Sequence, residues 1–186
     1  MHLELWSTIF SGATFLVIAA TAAAALIQLR HMRSGNQLNA LLTVMQMWQD
    51  PEMQNHIRYA RTTLQQKMKD PAFMAEFEHG GTSRVDHPEL LVADFWEQTG
   101  TFMKYGMIDE RSWLDISSSQ IARAWKDFEP VIIVARRRGG PAVFENFEYA
   151  AVRAELWMRR SPDGNYPKGL PRMDQLKSDG GAQRSR

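Results

Sequence analysis

The chain carries no charged side chain between Glu4 and Arg30. The intervening residues 5–29, LWSTIFSGATFLVIAATAAAALIQL, would make a helix about 37 Å long. That is enough to cross a hydrocarbon core of about 30 Å with some tilt. A buried core helix is one competing reading, but a helix of a small soluble domain is seldom apolar on every face over such a length. A cleaved signal peptide is the other, with small residues at 20–24 for a peptidase. Signal peptides place Lys or Arg ahead of the apolar run, whereas here Glu4 precedes it and Arg30, His31 and Arg33 follow. A basic flank marks the cytoplasmic side. The expected arrangement is a single-pass protein of the inner (cytoplasmic) membrane. The lipid bilayer would hold residues 5–29, with the N-terminus outside and the chain after Arg30 in the cytoplasm.

Beyond the span the periodicity is helical. Leu38, Leu41, Leu42, Met45 and Trp48 recur at helical spacing, with Ser34-Gly35 as a point where the helix can kink. Asp50-Pro51 reads as a cap and first-turn proline of a new helix carrying Met53, Ile57, Ala60 and Leu64. Asp70-Pro71 repeats the device for a short helix through Phe77. This seam suits packing within the chain better than a coiled coil with a partner chain, because two prolines interrupt the heptads. Residues 79–84, HGGTSR, read as a loop. Asp86 and Glu89 are placed as N-cap and N3 of a helix through Tyr105, with Leu91, Val92, Phe95, Trp96, Thr99, Phe102 and Met103 on one face and Gly106 as its left-handed stop. Ser117 and Gln120 are expected to open the next helix in the same way, bent at Pro130 and striped by Ile121, Ala124, Trp125, Phe128, Val131, Ile132 and Ala135. Arg136, Arg137 and Arg138 would close its carbonyl end. Pro141 would start a last helix with Phe144, Phe147, Ala151, Ala154 and Met158 inward.

Only residues 131–134 could pass for a strand, so the expected fold class is all-α. It comprises the transmembrane helix at 5–29, a cytoplasmic helical bundle over 30–160 and a disordered basic tail at 161–186. From Arg159 onward there are seven Lys/Arg against three Asp, a surplus that suits either an anionic membrane surface or simple solubility. It is not organised into the basic stripe with stacking aromatics that nucleic acid requires, so no nucleic-acid partner is expected. Trp48, Trp96, Trp113, Trp125 and Trp157 supply the core, since each buries a large area; an aromatic cofactor cage is the sharper alternative.

Without a cysteine there is no disulfide, thiolate nucleophile or Cys-ligated metal. Phosphate loops, GxSxG and HExxH are absent from the sequence. Glu76-Phe77-Glu78-His79 spells ExxH, but helical di-iron sites need it twice with two further carboxylates. His79, Asp86 and His87 could converge on zinc across the loop, although a solvated loop is the commoner outcome. Glu145 with Glu148, or Asp94 with Glu97, could pair for acid–base work. Such spacings are frequent on exposed helices. No cofactor or metal is expected.

Through residues 94–110, DFWEQTGTFMKYGMIDE, and 144–151, FENFEYAA, the sequence resembles the bacterial domain-of-unknown-function family 4760. Phe95, Glu97, Gly100, Gly106, Ile108 and Asp109 match the first part of the family's pattern, and Trp125, Pro130, Arg136, Asn146, Phe147 and Glu148 the second. The resemblance covers most of residues 5–152 and implies a single span, a helical fold and no assignable activity. Its matched polar residues, Glu97, Asp109, Arg136, Asn146 and Glu148, form the candidate cluster. The favoured reading is structural, with Arg136 pairing with Glu97 or Glu148 to pin one helix on another. The functional one is a polar cleft among the last three helices.

Three function classes follow. The first is a membrane-anchored helical interaction or scaffold module holding an unknown protein partner. The second is an oligomerising membrane effector of a stress or phage response, supported by Ser7 with Ser11 and Ala19 with Ala23 in the span, a spacing that would let a homo-oligomer pack closely. The third is an enzyme using that polar cleft.

Overall fold

The computed structural model describes residues 2–80 and 82–176. Among them every regular element is helical, and no strand occurs. Helix α1 (His2–Gln49) runs without interruption, so Ser34-Gly35 does not break it. Neither residue pairs with anything that would pull the helix apart, and nothing lies within 4 Å of the Cβ position of Gly35. At about 72 Å, α1 is far longer than the bundle it joins. Its most apolar window has a mean hydropathy of 2.0, and none of that window is buried in the chain. A core helix would be covered, so the buried reading fails. By length and composition this helix could cross a membrane.

The last third of α1 enters the core. Val44 is fully buried, and Ala40, Leu41, Met45 and Trp48 pack beside it. Trp48 meets Trp96 at 4.8 Å and Phe95 at 5.2 Å between ring centroids. Gln37 donates to the Gly106 carbonyl at 3.0 Å, tying α1 to the turn at residues 105–108.

Asp50 caps α2 (Pro51–Tyr59), its Oδ1 accepting from the amides of Glu52 and Met53, while Pro51 fills the first turn where no donor is needed. A π-helical turn (Ala60–Leu64) and α3 (Gln65–Lys67) continue it, burying Ile57, Ala60 and Leu64. Asp70 caps α4 (Pro71–His79) through Ala72, and Phe73 and Phe77 turn inward. Helix α5 (Leu90–Lys104) buries Val92, Ala93, Phe95, Trp96, Thr99, Gly100 and Met103 and ends at Gly106, whose φ of +64° is the left-handed stop its position requires.

Three helix starts differ from expectation. Asp86 and Glu89 do not form a capping box: α5 begins at Leu90 with no side-chain cap, because the Glu89 carboxylate is turned inside to His87. Helix α6 (Glu110–Gly139) begins well before Ser117, capped by Asp109 accepting from the Ser112 amide at 2.8 Å. Ser117 lies mid-helix and buried. Helix α7 (Glu145–Arg160) starts after a turn through Pro141, and its N-cap residue Phe144 sits at φ 54°, ψ 38°. Pro130 lies inside α6 on its exposed face, where the missing N–H is least costly and the helix continues.

The core joins α5, α6 and α7 through Trp96, Trp113, Ile121, Phe128, Val131, Ile132, Phe147, Ala150 and Ala154. Phe147 touches the rings of Trp96, Trp125 and Phe128. After Ser161 the described chain has turns and one helical turn at 173–176, nearly all of it exposed. The part of the disordered-tail expectation that concerns residues 177–186 lies outside the described residues.

Because Phe147 is wholly buried among three aromatic rings, Phe147→Ala should lower stability by about 3–5 kcal/mol. Thermal unfolding of the solubilised full chain would show this as a fall in Tm; an unchanged Tm would mean that the three-helix core closes without that ring.

Candidate functional site

Four of the five candidate polar residues meet at the first turn of α7. A helix start leaves its first amides without intrahelical acceptors, and Phe144 offers no side-chain acceptor at the N-cap. Glu97 supplies one from α5: its Oε2 accepts from the Phe147 amide at 2.8 Å and its Oε1 from the Asn146 side-chain amide at 2.7 Å. A carboxylate there also faces the positive end of the helix dipole. Lys104 donates to Asn146 Oδ1 at 3.2 Å and pairs with Glu145 at 3.4 Å.

Gly100 makes this approach possible. A Cβ on it would stand 2.0 Å from the Asn146 carbonyl oxygen, a backbone atom that cannot swing away. Glu97, Gly100 and Asn146 thus meet at one contact, where the first turn of α7 lies against α5.

Arg136 grips the same turn from α6. Its Nε donates to the Val143 carbonyl at 2.8 Å, an Nη to the Phe144 carbonyl at 3.4 Å, and an Nη pairs with Glu148 at 2.8 Å. Of the two carboxylates expected for it, Arg136 takes Glu148, because Glu97 is engaged by α7. A bulky residue in the left-handed region costs about 1–2 kcal/mol, and the two carbonyl bonds brace the strained Phe144. Arg136 therefore does more than neutralise the end of α6. Arg137 reaches Glu78 instead.

Asp109 does not join them. It caps α6, and hydrogen bonds from the Ser112 hydroxyl and amide hold its carboxyl below the usual carboxylate range. The two carboxylate pairs are likewise split: Asp94 binds Arg84 at 2.6 and 2.7 Å while Glu97 faces the start of α7, and Glu145 pairs with Lys104 while Glu148 pairs with Arg136.

The loop readings change more. His79 turns its Nδ1 to the Ala75 carbonyl at 2.6 Å, within its own helix. His87 is buried between the Phe73 and Phe77 rings, with Nε2 on Glu76 at 2.7 Å and Nδ1 on Glu89 at 2.9 Å. Both ring nitrogens are engaged by carboxylates. Glu89 is 1% exposed, and its Oε2 is buried without a partner among the described residues. Among those residues no group of three or more His, Asp or Glu is placed to hold a metal. The Glu76–His87–Glu89 chain could not be read from spacing, since Pro88 and a helix end lie between its members.

Asp127 was also not legible. Half-buried on α6, its carboxyl is pushed above the usual carboxylate range by burial, against the opposing pull of Arg61 and Arg123. The π-helical turn that carries Arg61 lies nearby, and Gln65, just after it, donates to the Asp127 carbonyl at 3.3 Å.

An apolar groove of about 610 Å³ opens where α1 ends, α2 begins and α5 passes. Met47, Met53, Leu91 and Phe95 line it, with Asp50, Glu52 and Asp94 along its rim. His56 also lines it, its Nε2 buried without a hydrogen bond and 3.9 Å from Glu52.

Glu97→Ala should strand the Phe147 amide and the Asn146 side chain, at a cost of about 1–3 kcal/mol, and Glu148→Ala should leave Arg136 without its anion. Both are expected to lower Tm. If both variants melt at or above the parent temperature, the cluster is held for a ligand rather than for the fold. Asp127 makes the opposite prediction. Its raised carboxyl favours protonation in the folded state, so the ionised form costs stability at neutral pH. Asp127→Asn should raise Tm near pH 7, with the gain fading as pH falls to the ordinary carboxylate range and below. A variant less stable at pH 7 would contradict this.

A family model described as a domain of unknown function (DUF4760) matches residues 15–154, three quarters of the chain and all five candidate residues. No curated protein and no solved structure matches.

Proposed function

Because the chain belongs to the domain-of-unknown-function family DUF4760, we propose its role from its geometry alone: a single-pass, membrane-anchored interaction module that presents a helical bundle to another protein. The observation that carries this reading is the continuity of α1. One uninterrupted helix bears the uncovered apolar segment at one end and packs Val44 and Trp48 into the bundle core at the other. Such a helix is a rigid strut, and it holds the bundle at a fixed distance from the bilayer. The basic flank of Arg30, His31 and Arg33 favours the inner membrane, with the bundle in the cytoplasm.

The partner site in this proposal is the groove at the foot of the strut. Apolar side chains on its floor, acidic ones on its rim and an unpartnered imidazole nitrogen suit an amphipathic helix with basic flanks. The polar cluster at α7 is a poorer choice, because its groups are already bonded to one another.

The test is affinity capture of the tagged full chain from solubilised membranes, beside Met53→Asp and Leu91→Asp. A specific partner should be recovered with the parent and lost, by tenfold or more, with both variants while their Tm stays within a few degrees. Equal recovery by parent and variants would remove the groove from the proposal. A chain absent from the membrane fraction would remove the anchor.

A further inference from the structure

We propose that residues 166–176 form a second membrane contact, adsorbing on the anionic headgroups of the bilayer that holds α1. The inference rests on the anchored reading above. It starts from the cations of the tail. In the tail neither Lys168 nor Arg172 pairs with a carboxylate among the described residues: the Arg172 guanidinium lies over the Tyr166 ring at 4.7 Å and donates to the Asp163 carbonyl. Lys177, Arg184 and Arg186 follow in sequence, with only Asp174 and Asp179 against them from residue 166 onward.

The same segment keeps its apolar side chains in water. Leu170 is 57% exposed, Met173 68% and Leu176 50%, each three residues from the next. The turn at 173–176 is already closed at its start by Gln175, whose Oε1 accepts from the Arg172 amide at 2.8 Å. A nascent helix with one apolar edge and cations beside it is the composition of an interfacial segment.

Its tether brings it within reach. Gln37, bonded to Gly106, lies eight residues past Leu29, about 12 Å beyond the hydrocarbon edge. From Gly106 the chain runs to Asp115 on α6, whose carboxylate accepts from the Asn165 side chain at 2.7 Å. Even laid out straight, that path puts Asp115 no farther than roughly 40 Å from the hydrocarbon. From Asn165 to Leu176 the chain spans up to about 36 Å, and headgroups project roughly 6 Å outward. At full extension the far end of the segment, at Leu176, can therefore touch the surface, and any shorter path to Asp115 brings Arg172 and Lys168 there as well; each Lys or Arg at the surface strengthens binding to anionic lipid about fivefold.

The absence of native cysteines allows a single probe to report on this. Met173→Cys in the full chain, labelled with an environment-sensitive fluorophore, is reconstituted into nanodiscs of phosphatidylcholine alone or mixed with phosphatidylglycerol. The emission should shift to the blue and become open to a lipid-borne quencher in the anionic discs only. The shift should be lost at high salt and in Lys168→Gln/Arg172→Gln. The same label at exposed Ile133 on α6 should not respond. A probe that stays in water in both lipids, or shifts equally in neutral discs or detergent as docking on protein would make it, overturns the proposal while leaving the anchor intact. A chain that does not enter discs at all overturns the anchor, and this inference with it.

Discussion

The packing of the bundle depends on how the amides at the start of α7 are satisfied. Phe144 has no acceptor to offer, so the acceptor comes from another helix: Glu97 projects from α5 to bind Asn146 and Phe147. That bond requires the two backbones to approach more closely than any side chain larger than hydrogen allows, which is why Gly100 stands at the contact. Phe147 is then carried to the centre of the core, between Trp96, Trp125 and Phe128. One electrostatic contact thus sets the register of the aromatic packing.

Arg136 completes the arrangement from the opposite side by binding the carbonyls of the turn that Phe144 strains. Charged groups that leave water need partners, and here each partner lies on a different helix, so the polar cluster acts as a three-way fastening of α5, α6 and α7. Of the residues matched in the sequence, Glu97, Gly100, Arg136, Asn146, Phe147 and Glu148 take part in this fastening, whereas Phe95, Gly106, Ile108, Asp109, Trp125 and Pro130 lie outside it. Among the described residues, the buried side-chain groups left without a hydrogen bond lie elsewhere, at Glu89 Oε2, His56 Nε2 and the indole nitrogens of Trp96 and Trp113.

The bundle hangs from α1, a single helix that reaches from the uncovered apolar segment into the core. Trp48 stacks against Phe95 and Trp96 while the same helix carries the uncovered apolar segment. With no break in the helix between them, the apolar segment and the groove formed by Met47, Met53, Leu91 and Phe95 share one element.

The sequence by itself determined what depends on neighbours a few residues apart. The uncharged run at 5–29, the Asp-Pro caps at 50 and 70, the seam of Ile57, Ala60 and Leu64, and the glycine stop at 106 are local devices, complete within one or two helical turns. Periodicity likewise exposed the buried faces of α5 and α6 and the all-helical class. Tertiary structure alone decided where each carboxylate went. Glu89 looked like a capping residue and turned instead to His87; Ser117 looked like a helix start and was enclosed in the middle of α6; Asp109 looked like part of a site and became the cap of α6. Glu97 and Phe147 are 50 residues apart, and Arg136 meets Glu148 across a turn whose left-handed Phe144 carries no local signature. A carboxylate binds whichever donor the packing of apolar faces brings to it, and that packing is settled by the whole core at once.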